Sequence, residues 1–207
     1  MEDVLELYAE EYDADYPVVC FDEQPVQLVS ETRTPLPAAP GRRERYDYEY
    51  KREGTANIFM MVQPLAGWRR VSVTNRRTAQ DFARCMKALV DEDFPDAVVI
   101  RVVLDNLNTH RIAALYETFG PAEARRIARK LEFHHTPKHG SWLNQAELEL
   151  SVLTRQCLRR RTPSIYHLRA RVRQWQKRRN TERATITWRF SAKDARKKLR
   201  RLYPARA

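Results

Sequence analysis

Hydrophobic runs alternate with polar segments along the chain, and their spacing predicts an α/β fold. The runs YPVVCFDE (16–23) and DAVVIRVVLDN (96–106) are rich in β-branched residues and end in acids, as expected of buried strands. Residues 57–75 form two strand-like runs around a Pro-Leu-Ala-Gly turn, which predicts a hairpin. Residues 30–56 hold prolines, glycines and many charges, and are predicted to form an exposed excursion with a strand around 46–50.

Helical spacing of apolar residues begins after Thr78, a suitable N-cap for a helix over 79–92. A short strand is predicted over Leu131–His135, and Ser191 is expected to cap the last helix. The other predicted helices cover 112–119, 121–130, 143–158, 165–179 and 192–202. This order of elements favours a mixed central sheet with helices on its faces.

Charge is concentrated in the last quarter of the chain. The 207 residues carry a net charge of +11, yet from position 155 onward 19 Lys and Arg face two acids. Such an excess indicates a polyanion partner, because cationic side chains that displace counterions from phosphates gain affinity. The alternative is a solvated helical face.

Other features of the composition restrict the class of protein. No apolar run reaches the roughly 20 residues that cross a bilayer, and the acidic N-terminus does not resemble a signal peptide. The three cysteines form no CxxC pair, which fits free thiols in a reducing cytosol better than disulfides or zinc. We therefore predict a cytoplasmic, nucleoid-associated protein without a membrane segment.

Two aspartates are expected at the same edge of the sheet. Asp22 and Asp105 each follow a buried run, and ligands of open α/β sheets bind at the carboxyl ends of the strands. Neighbouring carboxylates repel unless a cation lies between them, and oxygen ligands alone favour Mg²⁺ or Mn²⁺. A strand-end aspartate is also a common turn residue, so neither position is decisive by itself.

A third acid is predicted at the start of the helix over 143–158. Asn144 is a candidate N-cap and Glu147 falls in the first turn, where an acid can also serve only the helix dipole. Glu149 points roughly 200 degrees away from Glu147 on an ideal helix, so the two cannot line one site. Glu147 is therefore preferred.

These three positions lie in motifs that resemble a known family. CFDEQP (20–25), VVLDNLNTH (102–110) and TPKHGSWLNQAELE (136–149) are similar to DDE transposases of the mariner-like superfamily, in its bacterial insertion-sequence branch. The resemblance extends over nearly the whole chain. It implies an RNase H-like fold in which Asp22, Asp105 and Glu147 are catalytic and hold two Mg²⁺ or Mn²⁺ ions for DNA strand cleavage and transfer.

The resemblance also implies a division of the chain. Residues 1–160 would form the RNase H-like DDE catalytic domain, and residues 161–207 a basic helical C-terminal extension packed on it. Full-length relatives carry helix-turn-helix modules, so such a domain is expected in an upstream frame, unless truncation removed it. Double-stranded DNA, as transposon ends and target, and a second copy of the chain in a homodimer are the other expected partners.

Further residues are assigned around the three acids. Three are expected to support the carboxylates: Asn106, His110 and Asn144. Six are expected to bind DNA: Lys138, His139, Trp142, Arg155, Arg159 and Arg160. Trp142 would stack on a flipped base or, equally, belong to the core. Glu23 is expected to be a surface acid rather than a partner of the site.

Three alternatives remain at this stage. The same carboxylates would serve a non-mobile RNase H-like nuclease, and the basic tail would serve a catalytically silent DNA-binding remnant. A zinc hydrolase using His134, His135 and His139 is disfavoured, because adjacent residues of a strand point to opposite faces.

Overall fold

The computed structural model describes residues 1–138 and 140–203 and contains the predicted mixed sheet. The strands are β1 Val18–Glu31, β2 Tyr50–Gln63, β3 Trp68–Thr74, β4 Ile100–Leu104 and β5 Leu131–His135. The helices are α1 Glu2–Leu7, α2 Ala79–Ala88, α3 Ala113–Thr118, α4 Pro121–Arg129, α5 Gln145–Cys157, α6 Ile165–Thr181 and α7 Ala192–Lys198. A π-helical turn, Leu89–Asp93, extends α2, and 3₁₀ turns cover Ser141–Leu143 and Arg200–Leu202.

The strand order β3-β2-β1-β4-β5 combines two kinds of pairing. β1, β2 and β3 form an antiparallel meander, whereas β4 and β5 join β1 in parallel after helical crossovers. Both faces of such a sheet must be covered, because the central strands are apolar on each side. The α/β class and the flanking helices predicted from the sequence are confirmed.

Alternate residues of the central strands pack into two separate cores. Val19 and Phe21 of β1 face the layer formed by α2, α3 and α4. Cys20 of β1 and Val103 of β4 face the other layer, which includes α1, α5, α6 and α7. The three cysteines are free thiols, as expected. No described helix has both the length and the apolar character needed to cross a membrane.

The first strand is longer than the sequence predicts. β1 continues eight residues beyond position 23, so residues 30–31 at the start of the predicted excursion are strand. The strand predicted around 46–50 begins only at Tyr50, where β2 starts, and includes residues 50–56 at the end of the excursion. Beyond the point where β1 stops pairing with β4, residues 26–31 and 50–56 form a two-stranded ribbon whose register shifts between Leu28 and Val29. Residues 32–49 make the loop at the tip of this ribbon. The placement of Asp22 at the end of a strand was therefore wrong. It lies where the pairing with β4 ends, while β1 itself goes on.

Helix α6 closes the outer edge of the sheet at β3. Asn180 accepts from the backbone N–H of Arg69 at 2.9 Å and donates to its carbonyl at 2.8 Å. Further along, Gln176 accepts from the N–H of Val71, and Arg169 donates to the carbonyl of Val73. Edge strands with unpaired backbone groups invite pairing with other chains, so α6 protects this edge as well as burying Leu168, Val172 and Trp175.

Candidate active site

Strand pairing brings the two aspartates together. Cys20 and Val103 are partners in the parallel β1–β4 register and belong to the same core. Side chains alternate across a strand, so the next position of β1 on that face is Asp22, whereas Asp105 directly follows the end of β4 at Leu104. Both carboxylates therefore lie at the edge of the sheet where the β1–β4 pairing stops.

Asn144 fixes the start of α5 against β1. Its Oδ1 accepts from the N–H of Ala146 at 3.1 Å as an N-cap, and its Nδ2 donates to the carbonyl of Phe21 at 2.7 Å. The side chain is 1% exposed, so both hydrogen bonds are shielded from water. Because Phe21 precedes Asp22 directly, this one amide holds the first turn of α5, including Glu147, beside the strand that carries Asp22.

Replacing Asn144 by alanine is expected to reduce stability and activity together. The loss of the cap and an unpaired carbonyl at Phe21 should lower the free energy of unfolding by about 1–3 kcal/mol. Chemical denaturation would measure this cost, with T78A as the control because Thr78 caps α2 in the other layer. If N144A and T78A reduced metal-dependent DNA nicking equally at a temperature where both are folded, Asn144 would have no special role in placing Glu147.

The charges around Asp22 show that the acids influence one another. Burial is the main cause that raises the pKa of Asp22 from 3.8 to about 7, and the charges of Glu23, Glu147 and Asp105 raise it further. A hydrogen bond from the N–H of Glu23, 2.8 Å from Oδ1, opposes the shift only in part. A carboxylate in this position is destabilised unless positive charge is supplied.

Asp105 is held by a buried histidine. Its Oδ1 accepts from the N–H of Leu107 at 3.1 Å and lies 2.6 Å from Nδ1 of His110. The hydrogen bond with His110 is the main cause that lowers the pKa of Asp105, whose side chain is 40% exposed. His110 packs between the rings of Phe21 and Phe82, with centroids 5.2 and 5.0 Å away, so its ring is fixed.

Glu23 contacts the other side of the same histidine, and its expected place on the surface was wrong. Its side chain is only 5% exposed, and Oε2 lies 3.0 Å from Nε2 of His110 in a charge contact too bent for a good hydrogen bond. Burial lowers the pKa of His110, but Asp105 and Glu23 outweigh burial and raise it to about 9. The strand alternation contained this signal, because Glu23 shares the face of Phe21.

The other candidate ligands lie apart from this region. Glu149 is buried against Arg69 and Arg179, as its angular separation from Glu147 required. His134 contacts Asp3 and Glu132, whereas His135 approaches the backbone carbonyl of Asp105, which argues against a shared zinc ion. Among the described residues, no three His, Cys, Asp or Glu side chains form a ready metal-binding cluster. The three acids are thus neighbours at one edge of the sheet rather than a preformed coordination shell.

The remaining predicted residues have different surroundings. Asn106 donates to the carbonyl of Thr136, linking the segment after β4 to the end of β5. Trp142 is 42% exposed and packs edge-to-face on Phe190, so it is not a core tryptophan. The other predicted DNA-binding side chains with an exposed position are those of Lys138, Arg155, Arg159 and Arg160. His139 lies outside the described residues.

Comparison with solved structures identifies the fold class, and comparison with a family model then identifies the family. Solved structures of a mariner transposase share the RNase H-like α/β fold: the Mos1 mariner paired end complex with Mn aligns with a TM-score of 0.57 and 14% identity. The alignment covers 87% of this chain and 54% of that one, so the chain spans about half the length of this relative. The Mos1 complex with the left transposon end gives 0.53 and 13%, covering 82% and 53%.

A protein-family comparison gives the more specific result. The family described as DDE superfamily endonuclease matches residues 17–169, well over half of the chain. The chain therefore belongs to the DDE superfamily endonucleases. No curated protein sequence matches it.

Proposed function

We propose that this chain is the catalytic domain of a DDE transposase and carries out metal-dependent cleavage and transfer of DNA strands. The observation that carries the proposal is that Asp22, Asp105 and Glu147 lie at one edge of the sheet, close enough for the charges of Asp105 and Glu147 to raise the pKa of Asp22. Family membership and the fold shared with Mos1 support the same reading.

The donor set of this site suits magnesium or manganese. Asp22, Asp105 and Glu147 offer only carboxylate oxygens, the ligands that hard divalent cations prefer, and the mutual repulsion at Asp22 is what such a cation relieves. When bound, the metal would activate the attacking hydroxyl and stabilise the leaving oxygen of the phosphodiester. The chain contributes position: His110 orients Asp105, and Asn144 keeps Glu147 beside β1.

Two assays with purified protein test the proposal. We expect nicking of supercoiled plasmid in Mg²⁺ or Mn²⁺ but not in EDTA. We also expect joining of a pre-cut duplex with a free 3′-hydroxyl to a second duplex. Nicking without joining would instead indicate a non-mobile RNase H-like nuclease, and DNA binding with neither reaction would indicate a catalytically silent remnant.

The DNA partner, the family branch, the assembly and the domain organisation belong to the same proposal. The Mos1 structures are complexes with transposon ends, which supports double-stranded DNA as the partner of this chain. We further propose the bacterial insertion-sequence branch, a homodimeric assembly, and a helix-turn-helix module supplied by an upstream frame. The basic C-terminal extension from residue 161 is proposed as a unit packed on the catalytic domain through α6.

Replacing His110 by alanine is expected to weaken the use of metal rather than the fold alone. Without its hydrogen bond, Asp105 loses its fixed orientation, and we expect the nicking rate at limiting Mn²⁺ to fall by about 10- to 100-fold. E23Q, which keeps the shape but removes the charge facing Nε2, should show the same trend more weakly. Titrating Mn²⁺ against nicking rate measures both variants.

The control for these variants is H134A. His134 also contacts two carboxylates, but these belong to Asp3 and Glu132, neither of which is assigned to the site. An unchanged Mn²⁺ requirement in H110A, or an equal change in H134A, would show that His110 does not position Asp105.

A further inference from the structure

The tip of the β1–β2 ribbon carries a cavity that the proposed active site does not use. The loop over 32–49 and the turn between α5 and α6 enclose about 340 Å³ of open space. Its charged lining consists of Arg159, Arg160, Arg161, Arg171, Glu31 and Glu44. We call this group the distal arginine site.

Two of its arginines build the site. Arg161 donates to the carbonyls of Asp47 and Glu49, both at 2.8 Å, and forms an ion pair with Glu31. Its guanidinium also lies over the rings of Tyr46 and Tyr50, 5.8 and 5.5 Å from their centroids. Arg161 thus ties the ribbon loop to the turn after α5 and neutralises one of the two glutamates.

Arg171 holds the turn from the other side. Its Nη1 donates to the carbonyls of Arg160 and Arg161 and to Oγ1 of Thr162 at 2.9 Å. The backbone N–H of Val29 in turn donates to the carbonyl of Thr162, which anchors the turn to the ribbon. A rigid backbone therefore presents Arg159 and Arg160, whose side chains are exposed at the rim.

The charge at the rim favours a polyanion. Glu31 is paired with Arg161, so Arg159, Arg160 and Arg171 outweigh the remaining Glu44. Exposed arginines mounted on a fixed turn match phosphate oxygens, which their planar guanidinium groups can contact through two N–H groups at once. The same end of the chain carries the strong excess of basic residues.

The site lies too far from the acids to touch the same phosphate. Glu31 follows Asp22 by nine residues of strand, or about 30 Å at most. Along the chain through α5, Glu147 and Cys157 are ten residues or about 15 Å apart, and Arg159 follows two residues later, which adds at most about 7 Å. This shorter path limits the separation to about 15–22 Å, which corresponds to about four to six base pairs of B-form DNA.

We propose that the distal arginine site binds the backbone of the duplex that occupies the active site, about four to six base pairs from the scissile phosphate. The inference takes DNA as the partner from the proposed function. It adds a second contact that depends on duplex length and makes no use of the carboxylates.

Binding to duplexes of two lengths, without divalent ions, tests this inference. A hairpin with a 4-base-pair stem cannot span both regions, whereas a 24-base-pair duplex can. The longer duplex offers more binding positions, which raises its affinity by a statistical factor. For the wild-type chain we expect an additional gain in affinity of about 10-fold, and we call this additional gain the excess. In R159A/R160A this excess should fall below about 2-fold, and the slope of log affinity against log salt should decrease by about 2.

The matched control is R125A/R129A, which removes two exposed arginines from α4 in the other layer. It should keep the excess, and melting temperatures should show that both variants fold. R159Q/R160Q serves if the alanine variant is destabilised. An excess that survives in R159A/R160A, or that the α4 control also abolishes, would overturn the proposal. So would an equal arginine-dependent excess on single strands of the same length. Absence of plasmid nicking with the excess intact would refute the proposed reaction alone.

Discussion

The substitution D22N is expected to lower metal-dependent DNA nicking by at least about 10³-fold, because losing one member of a catalytic constellation typically costs this much or more. Asp22 lies close enough to Asp105 and Glu147 for the charges of both to raise its pKa. Asparagine keeps the shape of the side chain but offers one neutral oxygen to a divalent cation. Initial rates of plasmid nicking in Mn²⁺ would measure the loss.

The matched control for this prediction is D96N, the same change at an exposed aspartate shortly before β4. It should nick at the wild-type rate. If D22N retained more than about a tenth of the activity, Asp22 would not be a catalytic ligand and the proposed site would fail.

D22N should also alter stability in a direction that depends on pH. The carboxyl group of Asp22 has a pKa of about 7 in the folded chain, above the ordinary 3.8, so its ionised form penalises the folded state. Its contribution is most favourable below about pH 4 and is lost as the pH rises through 7. At pH 8 without metal, D22N should therefore be more stable than wild type by up to about 4 kcal/mol, and the difference should vanish near pH 4. Urea denaturation at both pH values would show this.

The sequence was sufficient for the fold class because its signals were local. β5 begins and ends where predicted, and the caps at Thr78, Asn144 and Ser191 form as their side chains required. The periodicity of an α-helix also separates Glu147 from Glu149 correctly. These features depend on residues close in the chain, whose periodicity is visible without knowledge of distant contacts.

What the sequence could not give depends on partners far apart in the chain. The charged stretch over 50–56 is strand because it pairs with residues 26–31, although its composition is typical of a loop. Strand alternation indicates only that Glu23 shares the buried face of Phe21, and its partner His110 could not be identified because it lies in the segment after β4. Arg69 belongs to a strand that reads as ordinary and exposed, yet it is completely buried by residues more than 100 positions later. The roles of the predicted site residues remain predictions.

The largest effect on stability is expected from Glu149, at the centre of a buried ionic cluster. Its carboxylate lies 2.9 Å from Nε of Arg69, with poor hydrogen-bond alignment, and receives hydrogen bonds from Nε and Nη2 of Arg179 at 2.9 and 3.1 Å. The side chains of Arg69 and Glu149 are 0% and 1% exposed. The cluster joins α5 to β3 and α6 and therefore sets the orientation of the helix that carries Glu147.

Replacing Glu149 by leucine should lower the free energy of unfolding by about 3–5 kcal/mol. Arg69 would keep its hydrogen bonds to the carbonyls of Gly67, Arg179 and Ala184 but lose the charge that compensates its burial. Burial already lowers the pKa of this guanidinium, which shows how costly its isolated charge would be. Chemical denaturation would measure the effect, with E147Q on the same helix as a control expected to change stability by less than about 1 kcal/mol.

A double-mutant cycle separates the ion pair from simple packing. If the cost of E149L arises from an uncompensated arginine, adding R69M should restore part of the lost stability, because two apolar side chains of similar volume leave no buried charge. R69M alone lowers the free energy of unfolding of the wild-type chain by some amount. If R69M lowers that of E149L by the same amount, the two residues are not coupled. In that case the hydrogen bonds from Arg179 would have to account for the position of α5, and R179M alone should then reproduce the loss seen in E149L.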